Sequence, residues 1–169
     1  MSRRRRVLVV CQGNHCRSPI AALIIAQRSG GALDVRSAGT RDWHVGKPAH
    51  PLMIEAAAAF GYDLTGHRGR LLDEELLGWA DDVIAVDDET ALAVEVVVGP
   101  DLPARLLGSG ITDPWGGGPE DFAAAVLEIQ EATALFQAAR PCLTREVGPA
   151  DFSRTTPSRP LTRRPQARE

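Results

Sequence analysis

The stretch from Val7 to Pro19 constrains this chain more than any other. Val7-Leu8-Val9-Val10 is a branched apolar run that stops at Cys11; five residues then lead to Arg17, and Ser18 and Pro19 follow at once. The run favours a strand. Gly13 and Asn14 suit a tight turn, Asn14 in a left-handed conformation that aims the loop amides inward. Ser18 suits a helix cap and Pro19 a first helical turn. A strand that turns straight into a helix gathers free N–H groups and the positive end of the helix dipole at one point, which attracts anions. The Cys11 thiol lies on the rim of that point, where the amides, the dipole and Arg17 favour its thiolate. A thiolate beside a captured phosphate suits nucleophilic attack on phosphorus.

The rest of the chain alternates strand and helix signals. Ala21–Arg28 continues the first helix, and Ser29-Gly30-Gly31 ends it. Strands are expected at Asp34–Ser37, Asp82–Val86 and Ala104–Leu107, beside the one at Val7–Val10. Helices are expected at Leu52–Phe60, Leu72–Trp79, Glu89–Val97 and Phe122–Ala139, the last with Phe122, Val126, Ile129, Leu135 and Phe136 near one face and Pro141 beyond it. This predicts an α/β fold: a three-layer sandwich, a four-stranded parallel sheet with helices on both faces. Ligands of such sheets sit at the carboxyl ends of strands, near a switch in strand order. The loop after the first strand is in that place.

With 169 residues the chain has enough length for one domain, expected over residues 1–147. Residues 148–169 are rich in Pro, Arg, Ser and Thr, with Phe152 and Leu161 as the sizeable apolar residues. They read as a disordered basic tail, either inert or a docking arm for an acidic surface. Four of the 19 basic residues lie in Arg3–Arg6 and five after Val147; of the 22 acidic residues Asp151 and Glu169 lie in the tail, which leaves the body near −10. An acidic body is a poor nucleic-acid binder. No apolar run is long enough to span a membrane, and Val7–Val10 is too short to serve as the core of a signal peptide. Three cysteines, two of them in one loop, do not make a disulfide framework. A cytoplasmic protein is expected.

Chemistry on phosphorus also needs a proton donor for the leaving oxygen. Asp113-Pro114, in a Gly-rich loop before the last helix, is the best candidate. Trp43 and Trp115 lie in the two loops most apt to border the pocket, as walls for a flat ring or as loop anchors. Arg17 offers a planar fork for two phosphate oxygens. Ser18 is placed to donate to the Cys11 thiolate, alongside or instead of capping the helix. Cys16 is either a small buried filler or a partner for a reversible Cys11–Cys16 disulfide. Cys142 is expected to be inert. Asp87, after the third strand, is taken as structural.

Cys11-Gln12-Gly13-Asn14-His15-Cys16-Arg17-Ser18-Pro19 resembles the phosphate loop of the low-molecular-weight protein tyrosine phosphatases, C-x-G-N-x-C-R-S-P. Ser37-Ala38-Gly39-Thr40 and Trp43-His44-Val45-Gly46 resemble a second segment of the bacterial members, and Asp113-Pro114 resembles their late D-P-Y motif. The resemblance implies phosphate binding by Gln12 through Ser18 and a phosphocysteine intermediate on Cys11. It gives Asp113 the role of acid and then base, and makes Trp43, Trp115 and His15 the pocket walls. His67 falls where the family supports the loop Asn, here Asn14. No metal or other cofactor is implied. The partner implied is a phosphotyrosine-bearing protein, a tyrosine kinase among the candidates, and the oligomeric state a monomer or weak dimer. The chain departs from the pattern at His15, often Ile or Thr, at Trp115-Gly116 in place of Tyr-Tyr, and at His50-Pro51 in place of Asp-Pro.

Rival readings share the loop. An arginine phosphatase usually carries a smaller residue at the His15 position. An arsenate reductase needs a cysteine pair near mid-chain, and no Cys lies between Cys16 and Cys142. A phosphate-binding pseudoenzyme would bind without turnover, which the intact Cys11, Arg17 and Asp113 argue against.

Overall fold

The structure, a computed structural model, describes residues 3–138. Four strands, β1 (Arg5–Cys11), β2 (Leu33–Gly39), β3 (Asp82–Ala85) and β4 (Ala104–Leu106), form one sheet in the order β2-β1-β3-β4. All pairs are parallel, with Val9 opposite Ser37 on one side and Ile84 on the other. Five helices cover it: α1 (Arg17–Arg28), α2 (Pro51–Ala59), α3 (Glu74–Trp79), α4 (Asp88–Val98) and α5 (Pro119–Ala138). The expected four-stranded three-layer sandwich is the fold observed.

β1 organises both cores. Val7, Leu8, Val9 and Val10 are all fully buried. Successive side chains of a strand point to opposite faces. Val7 and Val9 accordingly join Ile20 and Ile24 of α1, Met53 of α2 and Phe122, Val126 and Ile129 of α5. Leu8 and Val10 join Leu76 and Leu77 of α3, Val83 and Val94. A strand buried on both faces needs a continuous apolar run, which is why the opening stretch lacks alternation.

The chain leaves β1 to build β2 on one side, then returns to build β3 on the other. The order therefore reverses at β1, and a crevice opens at the carboxyl ends of β1 and β3. Cys11 closes β1 there, and Asp87 follows β3.

Several boundaries differ from the sequence reading, each for a local reason. Ser18 does not cap α1. Cys16 holds the N-cap position without a side-chain bond, and Ser18 lies within the first turn, its hydroxyl turned inward. α3 starts at Glu74 rather than Leu72, because the Asp73 carboxylate accepts from the Leu76 amide and fixes the start. α4 persists through Val96-Val97-Val98 because Asp87 caps its start, accepting from the Thr90 amide, and Gly99 at φ 71° closes it. α5 starts three residues earlier than expected, with Pro119 in its first turn. The side chains of Leu135 and Phe136, and the expectations for Ala139, Pro141, Cys142 and the 148–169 tail, lie outside the described residues.

Phe122 joins the α5 core to the mouth of the crevice: it is fully buried and stacks on His50 at 4.7 Å between ring centroids. Phe122→Ala is expected to cost about 3–5 kcal/mol of folding stability, read as a lower urea midpoint at unchanged m-value.

Candidate active site

Cys11 is the last residue of β1 and is almost fully buried. Its Sγ accepts a hydrogen bond from the Asn14 amide at 3.1 Å and lies 2.9 Å from Ser18 Oγ. Ser18 Oγ itself accepts from Asn14 Nδ2 at 2.9 Å. That leaves the single hydroxyl proton for Cys11 Sγ, closer than the alternative acceptor, the Ala38 carbonyl at 3.4 Å. The sulfur thus receives two donors at the base of the loop.

Asn14 holds this arrangement. It has φ 50°, the one positive φ outside glycine among the described residues, and it is 1% exposed. Its Nδ2 also donates to Ser37 Oγ at 2.9 Å, and its Oδ1 accepts from the Arg70 amide at 2.8 Å. His67 Nε2 donates to the Asn14 carbonyl at 2.8 Å, so that nitrogen carries the proton. Burial pushes the His67 pKa below its ordinary value, partly opposed by this bond. Gly39 makes room for the loop: a Cβ there would lie 2.7 Å from the Gln12 carbonyl oxygen. Thr40 and Arg41 donate from their amides to the carbonyls of Cys11 and Gln12, and His50 to that of His15.

Arg17 is 4% exposed and is held by two acids. Its Nη1 donates to Asp87 at 2.5 Å and to the Ile111 carbonyl at 3.1 Å, and its Nη2 to Asp113 at 3.0 Å. Burial alone would raise the Asp87 pKa; hydrogen bonds from Thr90 and Arg17 outweigh it and hold the carboxyl below its usual range. Asp113 is half exposed, and its other oxygen accepts from the Trp115 amide at 3.1 Å. The Arg17 Nε–H and one Nη2–H carry no partner among the described residues, so two donors of the fork remain for an anion.

The cavity over this cluster has a volume of about 500 Å³ and is lined by Cys11, Gln12, Gly13, His15, Cys16, Arg17, Trp43, His44, Asp113 and Trp115. Its wall is a cluster of rings. His15 and His44 stack nearly parallel at 3.8 Å, and Trp115 lies 5.7 Å from His44 and 5.9 Å from His15. His50 meets His15 edge-on at 5.3 Å. Burial first, then the neighbouring His44 and His50, lower the His15 pKa to about 4, against a weaker raising effect of the Pro48 carbonyl. Cys16 faces the same cavity, but burial first and then Cys11 push its thiol up to about 12.

Most of the sequence candidates therefore meet in one place. Cys11, Gln12, Gly13, His15, Cys16, Arg17, Trp43, Asp113 and Trp115 line the cavity, while Asn14, Ser18 and His67 sit beneath or behind the loop. Asp87 does more than the structural task expected of it, since it caps α4 and also grips Arg17. Its position at the carboxyl end of a strand beside β1 was the available signal. Ser37 and the Arg70 amide were missed. Ser37 was visible in the Ser37-Ala38-Gly39-Thr40 resemblance but without a role, and the Arg70 amide carries no side-chain signal; both act through Asn14, 23 or more residues away. His44 and His50 join the wall only through the folding of the 41–50 loop over His15.

Known proteins resemble this chain throughout the described region. The family profile "Low molecular weight phosphotyrosine protein phosphatase" matches residues 6–145. Low molecular weight protein-tyrosine phosphatase A of Mycobacterium tuberculosis is 33% identical over 147 residues, which cover 78% of this chain and 89% of that protein. The protein-tyrosine-phosphatase Etp of Escherichia coli is 40% identical over 95 residues, 53% of this chain and 63% of Etp, so the chain spans less than two thirds of that relative. Among solved structures, Vibrio vulnificus Wzb in complex with benzylphosphonate superposes with a TM-score of 0.75 at 26% identity, covering 82% of this chain and all of Wzb. With its loop, its sheet order and its sequence in agreement, the chain belongs to the low molecular weight phosphotyrosine protein phosphatase family.

Proposed function

We propose that this protein hydrolyses phosphotyrosine in proteins, and aryl phosphates, through a phosphocysteine intermediate. The observation that carries the reading is the meeting of Cys11, Arg17 and Asp113 in one ring-walled cavity. The two remaining donors of Arg17 take up two phosphoryl oxygens and draw the phosphorus over Cys11 Sγ. The Cys11 thiolate attacks, the S–P bond forms and the P–O bond to the phenol breaks. Asp113, as the carboxylic acid, gives its proton to the departing phenoxide. Its carboxylate then takes a proton from a water molecule that attacks the phosphocysteine, and Cys11 leaves as thiolate. Ser18 and the Asn14 amide stabilise the sulfur both as nucleophile and as leaving group. No bond order changes outside phosphorus, sulfur, oxygen and the shuttled protons, so the cycle closes on one water and one phosphomonoester.

The walls support an aryl substrate. Trp43, Trp115, His15 and His44 put aromatic rings around the cavity, and such a lining suits a phenyl ring. The relatives named as tyrosine phosphatases, and the benzylphosphonate bound to Wzb, support the same choice. The two states of Asp113 in this cycle require it to leave Arg17 when phosphate arrives, and its exposure permits that movement.

Hydrolysis of p-nitrophenyl phosphate, a phosphotyrosyl peptide and a phosphoarginyl peptide tests the reading. Wild type is expected to turn over the first two and not the third. Cys11→Ser is expected to fall to background, and Asp113→Asn to lose about a hundredfold or more of kcat on the peptide. Undiminished turnover by Cys11→Ser would exclude the mechanism, and preference for phosphoarginine would exclude the substrate.

The ring wall also predicts a pH dependence of stability. An unfolded histidine titrates near 6.5, whereas His15 in the fold titrates at about 4. Between these values the unfolded chain binds more protons than the folded one. The stability associated with a neutral His15 is thus complete above about pH 6.5 and declines as pH falls toward about 4. His15→Phe, which keeps a ring against His44, is expected to make the acid-side loss of stability in urea titrations shallower.

A further inference from the structure

The outer side of α4 carries an apolar strip that the catalytic reading leaves unused. Val96 is 79% exposed, Leu92 62% and Val97 59%. Leu92 with Val96, and Ala93 with Val97, stand four residues apart and form two adjacent rows along the helix. Thr90 and Val94 are the residues α4 buries; Leu92 and Val96 turn away from them, and Val97 lies at the edge of that buried face yet stays exposed. The exposed valines therefore do nothing for the core, and as β-branched residues they weaken the helix that carries them. Single exposed apolar residues are ordinary; contiguous rows mark contact sites.

These rows border a groove of about 280 Å³ lined by Gln12, Thr40, Arg41, Leu72, Glu89, Ala93, Val96 and Val97. It is smaller than pockets that enclose drug-sized ligands, and Leu72, Ala93, Val96 and Val97 give it an aliphatic side, so it suits an amino-acid side chain better than a cofactor. Gln12 lines both this groove and the catalytic cavity. The two are thus neighbours across one side chain. Arg41 and Glu89 stand on the groove as a cation and an anion, able to receive the carbonyl and amide groups of a passing backbone.

We propose that this groove is a substrate subsite, which takes an apolar side chain of the phosphoprotein within a few residues of the phosphotyrosine. This rests on the tyrosine phosphatase reading above. A phosphotyrosine held at Cys11 must bring its flanking backbone out at the cavity mouth. An extended chain advances about 3.3 Å per residue, so a nearby residue reaches past Gln12 to Val96 and Val97. The continuity with the cavity favours the substrate over a second copy of the chain or its own basic tail.

The test uses the full chain and phosphotyrosyl peptides of a Ser/Gly background with one Leu placed in turn at each position from three before to three after the phosphotyrosine. At one position or more, Leu is expected to raise kcat/KM about fivefold or more over Ser. Val96→Lys removes the apolar wall at an exposed site near a helix C-terminus, where a cation is tolerated. It is expected to abolish that gain and to leave kcat/KM on p-nitrophenyl phosphate unchanged, and Val97→Ser is expected to reduce the gain in the same way. A flat response to Leu at all positions, or a gain that persists in both variants, would overturn the subsite. So would a change of oligomeric state in Val96→Lys by light scattering with peptide kinetics unaltered, which would make the strip an interface between copies. A Leu preference that is absent from the full chain and appears only after truncation at Gly148 would assign the groove to the tail instead. A wild type inert toward p-nitrophenyl phosphate and all the peptides would remove the phosphatase reading, and the subsite with it.

Discussion

The site depends on one buried amide side chain in a left-handed backbone conformation. Asn14 must sit at φ 50° for the loop to turn between β1 and α1, and most residues resist that conformation. Asparagine tolerates it, and here its side chain is fully used. It joins Ser18 of α1, Ser37 of β2 and the backbone of Arg70. Two segments distant in sequence, at Ser37 and Arg70, are thereby fixed to the loop that carries Cys11. His67, three residues before Arg70, ties the same segment to the Asn14 carbonyl. A buried network of this kind is stable only when every member is satisfied, since an unpaired polar group there costs about 1–3 kcal/mol.

Arg17 presents the complementary problem of a charge taken out of water. Burial of a guanidinium without partners would be prohibitive. Asp87 and Asp113 supply the opposite charge, and they differ in a useful way. Asp87 is bound to the start of α4 and keeps Arg17 oriented. Asp113 is half exposed on a loop, which permits the exchange of partners that the proposed cycle requires. The topology makes this possible, because the reversal of strand order at β1 brings the ends of β1 and β3 together and leaves a crevice above them.

The fold was legible in the sequence wherever a pattern was local. The Val7–Val10 run, the Gly30-Gly31 stop and the Phe122-Val126-Ile129 spacing each announced an element that forms. Helix starts were less legible. Ser18 looks like a cap by residue type, but its hydroxyl serves Cys11 and Asn14 instead, and Asp73 sets the start of α3 where periodicity alone pointed to Leu72. Within the site, Cys11, Arg17 and Asp113 were legible as candidates from their side-chain chemistry, and the structure brings the three to one cavity. Ser37, Asp87, His44 and His50 were not assigned their places, because each acts across the sheet or through the packing of a loop that carries no periodic signal. The ring wall is the clearest case: His15 was visible as a departure from the family pattern, while its stacking on His44 is a tertiary fact.

The central claim is that Cys11 Sγ itself carries the phosphoryl group. The direct measurement is mass spectrometry of acid-quenched Asp113→Asn enzyme during turnover of p-nitrophenyl phosphate, whose leaving group departs without help from an acid while the second step lacks its base. One phosphoryl group on the peptide that contains Cys11, accumulating with a burst of nitrophenolate, is the expected result. A burst-free reaction with no covalent species, or a phosphoryl group on any other residue, would contradict it.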